Sequence, residues 1–391
     1  MSEVRVNNLS NESLTGGPTL SGITTFSGTN FFVPPQGDTA SRPSGCPPGS
    51  FRFNTDTAKL EYFRGNTIGW VEIEAELVEP LGENRISDFD SSNAGIGVRG
   101  MMFNAPHPAF TNEIRYLTVS TMGADQDFGD TTAAKANCIS FGGRVRAASM
   151  GGQTTPSGSS WTNDVDMVFV SSTGNSTDYA TLTSNKKEGG GFSNRIRAFY
   201  VGAGYNIIEY VTIAEGGNFV DFGDMSNGSE QCAAMSSPVR GVFTMNSYVP
   251  QYTSRNTIEF VNMMTTGNSS DFGDMTINRF ANNSGSNATR GIICNGYQPS
   301  PTGAVVNTAE FLTIATTGNA IDFGDTTQAR YSSFGSCCSG SRMVIPGGYV
   351  APTTVNTIDS LTITTTGNAV DFGDLSTAGG PTSTSNGHGG L

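Results

Sequence analysis

The sequence is short of charged residues and of long apolar runs, and each shortage excludes a class of protein. Charged residues make up 14% of the chain, against about a quarter in ordinary globular proteins. With a formal net charge of −13, the chain lacks the basic footprint that phosphate binding requires, so we expect no nucleic-acid partner. No apolar run reaches the roughly 18 residues of a spanning helix, so we also expect no membrane span.

Residues that carry chemistry are scarce as well. The two histidines, His107 and His388, fall in a loop and a glycine-rich tail, whereas acyl transfer needs a base held beside a nucleophile. The six cysteines show no zinc-type spacing. The first residues lack the apolar core of a signal peptide, so we expect reduced thiols. We predict no catalytic residue, no metal and no cofactor.

The abundant feature is a repeat. Asp-Phe-Gly-Asp, called the motif below, occurs five times, and a degenerate copy reads Asp-Tyr-Ala-Thr. The six copies start at Asp127, Asp178, Asp221, Asp271, Asp322 and Asp371. A period near 50 residues indicates one structural unit repeated six times. A protein kinase is excluded, because the chain has neither its glycine-rich phosphate loop nor its His-Arg-Asp catalytic loop.

Every unit has the same order of elements, here taken from the copy at Asp271. Arg240 opens a short apolar run, Asn256 begins a segment that alternates between apolar and polar residues, and Gly267-Asn268 suits a tight turn before the motif. A β-solenoid is the main rival, but a hairpin turn inside each unit favours propeller blades. We predict an all-β protein in which residues 94–391 form a six-bladed β-propeller of about 49-residue repeats.

The region before the repeats does not follow this pattern. Residues 1–33 are predicted to be an extended, strand-rich arm for anchoring and oligomerisation. Residues 34–80 are predicted to be a proline-rich linker and a small β-hairpin module. Residues 81–93 form a connector, and we expect a strand at 86–93 to complete the last blade, because no strand is evident after Asp374. Closure of that kind would remove an exposed edge.

Two stretches resemble known families. Ser50–Thr57, continuing through Leu60 and Tyr62 to Gly69-Trp70, resembles a small module of tail-fibre and other virion proteins of tailed bacteriophages. The units, with Asn-Thr-Ile-Glu-Phe, Thr-Gly-Asn and the motif, resemble Kelch-like propeller repeats of phage structural proteins. The Kelch double glycine is only partly met, for example by Gly347-Gly348.

The resemblance implies a non-enzymatic virion component, such as a tail fibre or another tail-associated protein, made in the host bacterial cytoplasm. Its N-terminal region would attach to other tail proteins, its arm would form a homotrimer, and its propeller would contact the host surface or other virion proteins. One alternative is a carbohydrate-active enzyme or lectin on a propeller scaffold. Another is a soluble bacterial Kelch-like scaffold.

Charged residues recur at fixed places in the units. An arginine opens the first predicted strand of all six, and all six keep the first Asp of the motif. These strand arginines are Arg99, Arg146, Arg197, Arg240, Arg290 and Arg342. Equal numbers lead to the hypothesis that each arginine forms a bidentate salt bridge with a first Asp of its own or an adjacent blade. The alternative is calcium bound by the two motif carboxylates, although their spacing differs from that of a calcium loop.

Recognition is expected in the loops between the first and second predicted strands, because loops on a rigid scaffold usually carry binding residues. Their aromatic residues are Trp161, Tyr248, Tyr252, Tyr297 and Tyr349. We expect these side chains to stack on sugar rings of a host cell-surface glycan. The alternative is that they belong to ordinary turns without a ligand.

Overall fold

The chain is described by a computed structural model that covers residues 34–57, 59–73, 98–104, 110–156, 160–246, 255–299, 303–331 and 335–391. These residues form strands and turns and no helix, which confirms the all-β prediction. Within the same ranges there is accordingly no helix that could cross a membrane. The chain divides into two compact units, Met1–Glu76 and Leu77–Leu391, each considered by itself.

The first unit is a small sheet in which two aromatic-rich strands form a hairpin. Its strands are β1 (Gln36–Gly37), β2 (Phe51–Asn54), β3 (Lys59–Phe63) and β4 (Trp70–Ile73). They pair in that order, with β1 parallel to β2 and the rest antiparallel. Buried Glu61 accepts a hydrogen bond from Arg42 at 2.6 Å, so an ion pair fixes the loop before β2 to the sheet. The predicted arm (1–33) and connector (81–93) lie outside the described residues.

The second unit contains the repeats. Its first strands are β5 (Arg99–Phe103), β6 (Thr111–Thr118), β7 (Gln126–Lys135), β8 (Ile139–Gly142), β9 (Arg146–Met150), β10 (Asp164–Phe169), β11 (Thr177–Thr181), β12 (Gly190–Ser193), β13 (Arg197–Val201), β14 (Ile207–Thr212), β15 (Gly217–Asn218) and β16 (Val220–Asp224). The others are β17 (Ala234–Ser236), β18 (Arg240–Thr244), β19 (Thr257–Asn262), β20 (Ser270–Asp274), β21 (Asn283–Ser286), β22 (Arg290–Cys294), β23 (Tyr297–Gln298), β24 (Ala304–Val305), β25 (Thr308–Thr313), β26 (Ile321–Asp325), β27 (Cys337–Cys338), β28 (Arg342–Val350), β29 (Thr353–Thr362), β30 (Val370–Asp374) and β31 (Thr382–Ser385).

Six antiparallel sheets with the same internal order arise from these strands. Sheet 1 is β31-β5-β6-β7, sheet 2 is β8-β9-β10-β11 with β15 added, and sheet 3 is β12-β13-β14-β16. Sheet 4 is β17-β18-β19-β20, sheet 5 is β21-β22-β25-β26, and sheet 6 is β27-β28-β29-β30. A strand arginine begins each second strand, and the motif lies in each fourth strand. Each sequence unit therefore supplies the second, third and fourth strands of one sheet.

The hydrophobic core lies between neighbouring sheets, because each second strand is buried after its arginine. Phe272 of the sheet 4 motif, for example, packs in one cluster with Ile293 and Leu312 of sheet 5. A corresponding cluster joins Phe372 of sheet 6 to Met102 of sheet 1. The motif phenylalanine thus fills the space between one sheet and the next.

The first strands are rich in small residues such as Gly, Ser and Thr, and the sequence does not predict them as strands. β8 contacts β12, β12 contacts β17, β17 contacts β21, β21 contacts β27, β27 contacts β31, and β31 contacts β8. Together they line a narrow cavity of about 50 Å³. Their small size is required there: a Cβ on Gly191 would lie 2.4 Å from the Ser140 carbonyl oxygen of the neighbouring sheet. Glycine and serine, poor formers of ordinary strands, are favoured by this close approach.

One strand after the last motif, β31, is not predicted from the sequence. The sequence shows no clear strand after Asp374, yet Thr382–Ser385 pairs with β5 and completes sheet 1. Within the described residues sheet 6 has four strands of its own, and the predicted strand at 86–93 lies outside the described residues. The physical reason for the error is again composition, since Thr-Ser-Thr-Ser carries no apolar alternation.

The glycine-rich tail after β31 is packed rather than free. His388 lies 2.7 Å from the Gly142 carbonyl oxygen and 3.1 Å from Ser193 Oγ, at the ends of two first strands. The Gly389 amide donates to the Ser286 carbonyl at 2.9 Å. These contacts place the tail across the cavity at the end where the first strands finish.

Candidate functional site

The motif joins each sheet to the next through the backbone. The amide of Gly318, in the turn of sheet 5, donates to the Phe272 carbonyl of sheet 4 at 2.7 Å. Asn319 Oδ1 of the same turn accepts from the Asp274 amide at 3.0 Å. The Gly-Asn turn of one unit therefore provides hydrogen-bond partners for backbone groups of the preceding motif. The turn and the motif must recur together for this reason.

This contact recurs at other sheet junctions, including one between sheets far apart in the chain. Gly174 donates to Phe128, Gly267 to Phe222, and Gly367 to Phe323, at 2.7–2.8 Å. Gly123 of sheet 1 donates to Phe372 of sheet 6 at 3.0 Å. The degenerate second copy differs, because there β15 pairs with β11.

The strand arginines do not meet the first Asp of any motif. Arg290 donates instead to the Ile363 carbonyl of the next sheet at 2.9 Å, and its guanidinium lies 4.4 Å from the centre of the Phe311 ring. Arg342 of sheet 6 donates in the same way to the Val119 carbonyl of sheet 1 at 3.0 Å. Corresponding bonds run from Arg99 to Val170, from Arg146 to Ile213, from Arg197 to Met263 and from Arg240 to Ile314.

The first motif aspartates are all exposed. Among the residues that the structure describes, no ion pair joins Asp127, Asp178, Asp221, Asp271, Asp322 or Asp371 to a strand arginine. Solvated carboxylates cost nothing to leave unpaired, whereas a half-buried guanidinium needs acceptors, and the carbonyls at the ends of third strands supply them. The salt-bridge hypothesis therefore has the wrong acceptor.

Buried ion pairs do exist, but they use a different acid. Glu310 of the third strand of sheet 5 is paired at 2.9 Å with Arg279, which follows the motif of sheet 4. Asp359 and Arg330 form the next such pair at 2.8 Å. Lys135 with Asp166 and Lys186 with Glu209 form the earlier ones. Such pairs are costly to break, because an isolated partner would remain buried.

Glu259 of sheet 4 is the exception, since Ser229 stands where the other junctions have a cation. Its carboxylate accepts hydrogen bonds from Ser226 and from Ser269 Oγ, the latter at 2.5 Å. At sheet 1 the polarity is reversed, with Arg115 on the third strand and Asp125 in the turn, 3.1 Å apart. A polar contact therefore recurs at each of these sheet junctions, although the residues that form it and the sign of their charges differ.

An aromatic row crosses sheets 4 to 6 at the end where fourth strands finish and third strands begin, here called the loop end. Its rings, in order, are Phe280, Tyr297, Tyr331 and Tyr349, with centroids 5.4, 6.0 and 5.3 Å apart. All four side chains are partly exposed. Because aromatic rings present large, rigid and half-polar surface, a row of this kind is suited to binding.

Two buried ion pairs lie next to the row in the sequence and support it. Arg279 and Arg330, which precede Phe280 and Tyr331, are fully buried and bound to Glu310 and Asp359. Burial, and then the neighbouring Tyr349 and Tyr297, raise the pKa of Tyr331 above its usual range. Its hydroxyl therefore stays protonated at neutral pH and can donate a hydrogen bond.

The structure brings together two of the five predicted loop aromatics. Tyr297 and Tyr349 lie in the row, joined through Tyr331. Trp161 lies elsewhere, with Lys187 Nζ 5.5 Å from the centre of its ring. Tyr248 and Tyr252 lie outside the described residues. Sequence reasoning missed Phe280 and Tyr331, because they follow the motif at a position occupied in other units by Ala136 and Lys187.

Other chemistry is limited in the described ranges. Burial raises the pKa of the Cys138 thiol to about 11 and that of Cys232 to about 12, which suppresses the nucleophilic thiolate. No group of three or more His, Cys, Asp or Glu side chains that could hold a metal occurs among the residues described.

No family model and no curated protein matches the chain.

Proposed function

We propose that this protein is a non-enzymatic structural and binding component of a tailed-bacteriophage particle, with a closed six-bladed β-propeller as its recognition domain. Closure is supported by contacts that return from sheet 6 to sheet 1: the first strands β27 and β31, Arg342 with Val119, and Gly123 with Phe372. The virion setting is supported by the two sequence resemblances, and the propeller gives a rigid platform for the loop end.

The observation that carries the binding role is the aromatic row. Phe280, Tyr297, Tyr331 and Tyr349 come from separate segments yet form one partly exposed strip. Buried packing alone would not leave three hydroxyl-bearing rings at the surface. Aromatic faces with nearby hydroxyl groups fit a saccharide, whose rings have apolar faces and polar rims. The ligand class proposed is a glycan of the host cell surface.

An array of purified bacterial envelope polysaccharides tests this proposal. The full chain should bind one or more of them, and Tyr349→Ala should weaken binding about tenfold, equivalent to about 1.4 kcal/mol. Tyr205→Ala is the matched control, because Tyr205 is an exposed loop tyrosine of sheet 3 outside the row. Equal loss in both variants, or no binding by the full chain, would refute the role of the row. Shortening of a bound polysaccharide would favour the enzyme alternative.

The particle role gives a second set of expectations. The N-terminal region would attach to other tail proteins and, through residues 1–33, form a homotrimer. Light scattering should then give three copies for the full chain and one after deletion of residues 1–40. A monomeric full chain would refute the proposed trimer while leaving glycan binding as a separate question.

A further inference from the structure

Main-chain pairing holds the aromatic row in place. Phe280 and Tyr297 exchange two backbone hydrogen bonds, at 3.1 and 2.9 Å. Tyr331 and Tyr349 also exchange two, at 3.1 and 2.8 Å. A further backbone bond of 2.9 Å joins the residue before Tyr297 to the residue before Tyr331. The four rings are therefore fixed before a ligand arrives, so binding costs little ordering of the backbone.

The chain segments that build the row are poor in charge. Residues 275–321 supply Phe280 and Tyr297, and residues 326–370 supply Tyr331 and Tyr349. Each segment contains only three charged side chains, which are Arg279, Arg290 and Glu310 in the first and Arg330, Arg342 and Asp359 in the second.

None of these six side chains offers a free charge to the row. Four of them form the two buried ion pairs described above, so their charges compensate each other. The other two, Arg290 and Arg342, begin second strands, at the end of the sheets opposite the loop end. The two segments therefore present aromatic faces and hydroxyl groups to a ligand and bring no cation to it.

Charged side chains at the loop end come from other parts of the chain. Lys187 and Glu188 precede β12 of sheet 3, Glu230 precedes β17 and Arg255 precedes β19, both of sheet 4. Lys187 occupies in its own unit the position that Phe280 occupies in the row. The scaffold thus accepts a charged side chain at this position, and the fold does not require the neutral character of the row.

We propose that the aromatic row selects a neutral polysaccharide, whose repeating units carry hydroxyl groups but no carboxylate or phosphate. This inference rests on the proposed function and narrows the class of its ligand. A carboxylate placed against the row would lose its water without gaining a cation in return. A sugar hydroxyl finds a suitable partner there, because tyrosine hydroxyl groups both donate and accept hydrogen bonds.

The charge of the surrounding molecule acts in the same direction. The motif acids Asp274, Asp325 and Asp374 border the two segments in the sequence. The chain as a whole has a formal net charge of −13. An acidic polysaccharide is therefore repelled as it approaches, whereas a neutral one is not.

A matched pair of polysaccharides tests this inference. The first is a neutral polysaccharide that binds on the envelope array, and the second is the same material after oxidation of its primary hydroxyl groups to carboxylates. In calorimetry the full chain should bind the neutral form about tenfold more tightly than the oxidised form. Its affinity for the neutral form should be the same at low and at high salt, because no ion pair contributes.

Two substitutions at one position separate charge from loss of the ring. Phe280→Lys and Phe280→Gln both remove an aromatic face, so both should weaken binding of the neutral form. Only Phe280→Lys should bind the oxidised form more tightly than the native chain does, by about tenfold and in a salt-dependent manner. Lysine is a suitable choice because Lys187 already stands at the equivalent position.

The possible failures of the two proposals are distinguishable. Absence of binding to every polysaccharide on the array would refute the proposed function and this inference with it. Equal or tighter binding of the oxidised form, or array binding confined to acidic polysaccharides and lost at high salt, would overturn the inference and leave glycan binding intact. If Phe280→Lys bound the oxidised form no better than Phe280→Gln, the missing cation would not be the cause of selection.

Discussion

At the scale of single residues, Gly273 of the motif is under two constraints at once. Its φ is +145°, and a Cβ would lie 2.5 Å from the Gly318 carbonyl of the next sheet. Gly267 also has a positive φ, of +157°, but a Cβ there meets open space. Gly273→Ala should therefore lower the free energy of unfolding by about 3 kcal/mol or more, and Gly267→Ala by about 1 kcal/mol. If urea denaturation gave similar losses of unfolding free energy for the two variants, close packing at the sheet junction would not explain the need for Gly273.

His388 makes stability depend on pH. Its Nε2–H donates to Gly142 and its Nδ1 accepts from the Gly390 amide, so the neutral ring is bound. Burial lowers the pKa of His388 from 6.5 to about 4. The unfolded chain therefore takes up a proton between these values while the folded chain does not. The stabilisation is present above pH 6.5 and is lost as pH falls towards 4, by up to about 3 kcal/mol.

Melting curves of the native chain and of His388→Gln check this dependence. Other carboxylates also affect acid stability in both proteins, so the informative quantity is the difference between the two. That difference should shrink as pH is lowered from 7.5 to 4.5. A constant difference would show that protonation of His388 is not coupled to folding.

At the scale of strands and turns, we predict opposite effects on stability for substitutions of a strand arginine and of a motif aspartate. Arg290→Ala removes a hydrogen bond to Ile363 and the contact with Phe311, and should cost about 1–3 kcal/mol. Asp322→Asn should leave the melting temperature within about one degree, because Asp322 is exposed. If Asp322→Asn destabilised as much as Arg290→Ala, the salt-bridge hypothesis would be restored.

The same elements show how far sequence reasoning extends. Periodicity located the second, third and fourth strands, because arginines, alternating residues and motifs recur visibly. It could not identify the arginine's partner, since a backbone carbonyl has no sequence signature and equal counts fit any partner present once per unit. It missed β21 and β31, because crowding between first strands selects Gly, Ser and Thr instead of apolar residues.

Sequence reasoning predicted only part of the aromatic row, for a related reason. Tyr297 and Tyr349 fall in segments that the sequence predicts to be loops, where recognition is expected, although the structure places them in β23 and β28. Tyr331 and Phe280 occupy a position that holds Ala136, Lys187 or Glu230 in other units. A residue that does not recur is discarded by a repeat comparison, yet a binding site on a repetitive scaffold must consist of such residues.

At the scale of the whole molecule, strand β31 decides whether six sheets act as one cooperative body. It pairs with β5 and contacts β8 and β27, so it joins three sheets. Truncation after Gly380 would expose the edge of β5 and open the core between sheets 6 and 1. Truncation after Ser385 keeps the strand and removes only the tail.

We expect removal of residues 386–391 alone to lower the melting temperature while retaining one calorimetric transition. Removal of residues 381–391 should broaden or split the transition and promote aggregation, because in the proposed closed propeller the units released from the ring would unfold separately. A synthetic peptide of residues 381–391, added in trans, should restore a single transition by supplying the missing strand. If removal of β31 left a single transition at the same temperature as removal of the tail alone, closure through sheet 1 would be disproved. An open array of sheets, stabilised pair by pair through its motif and turn contacts, would then be the correct architecture.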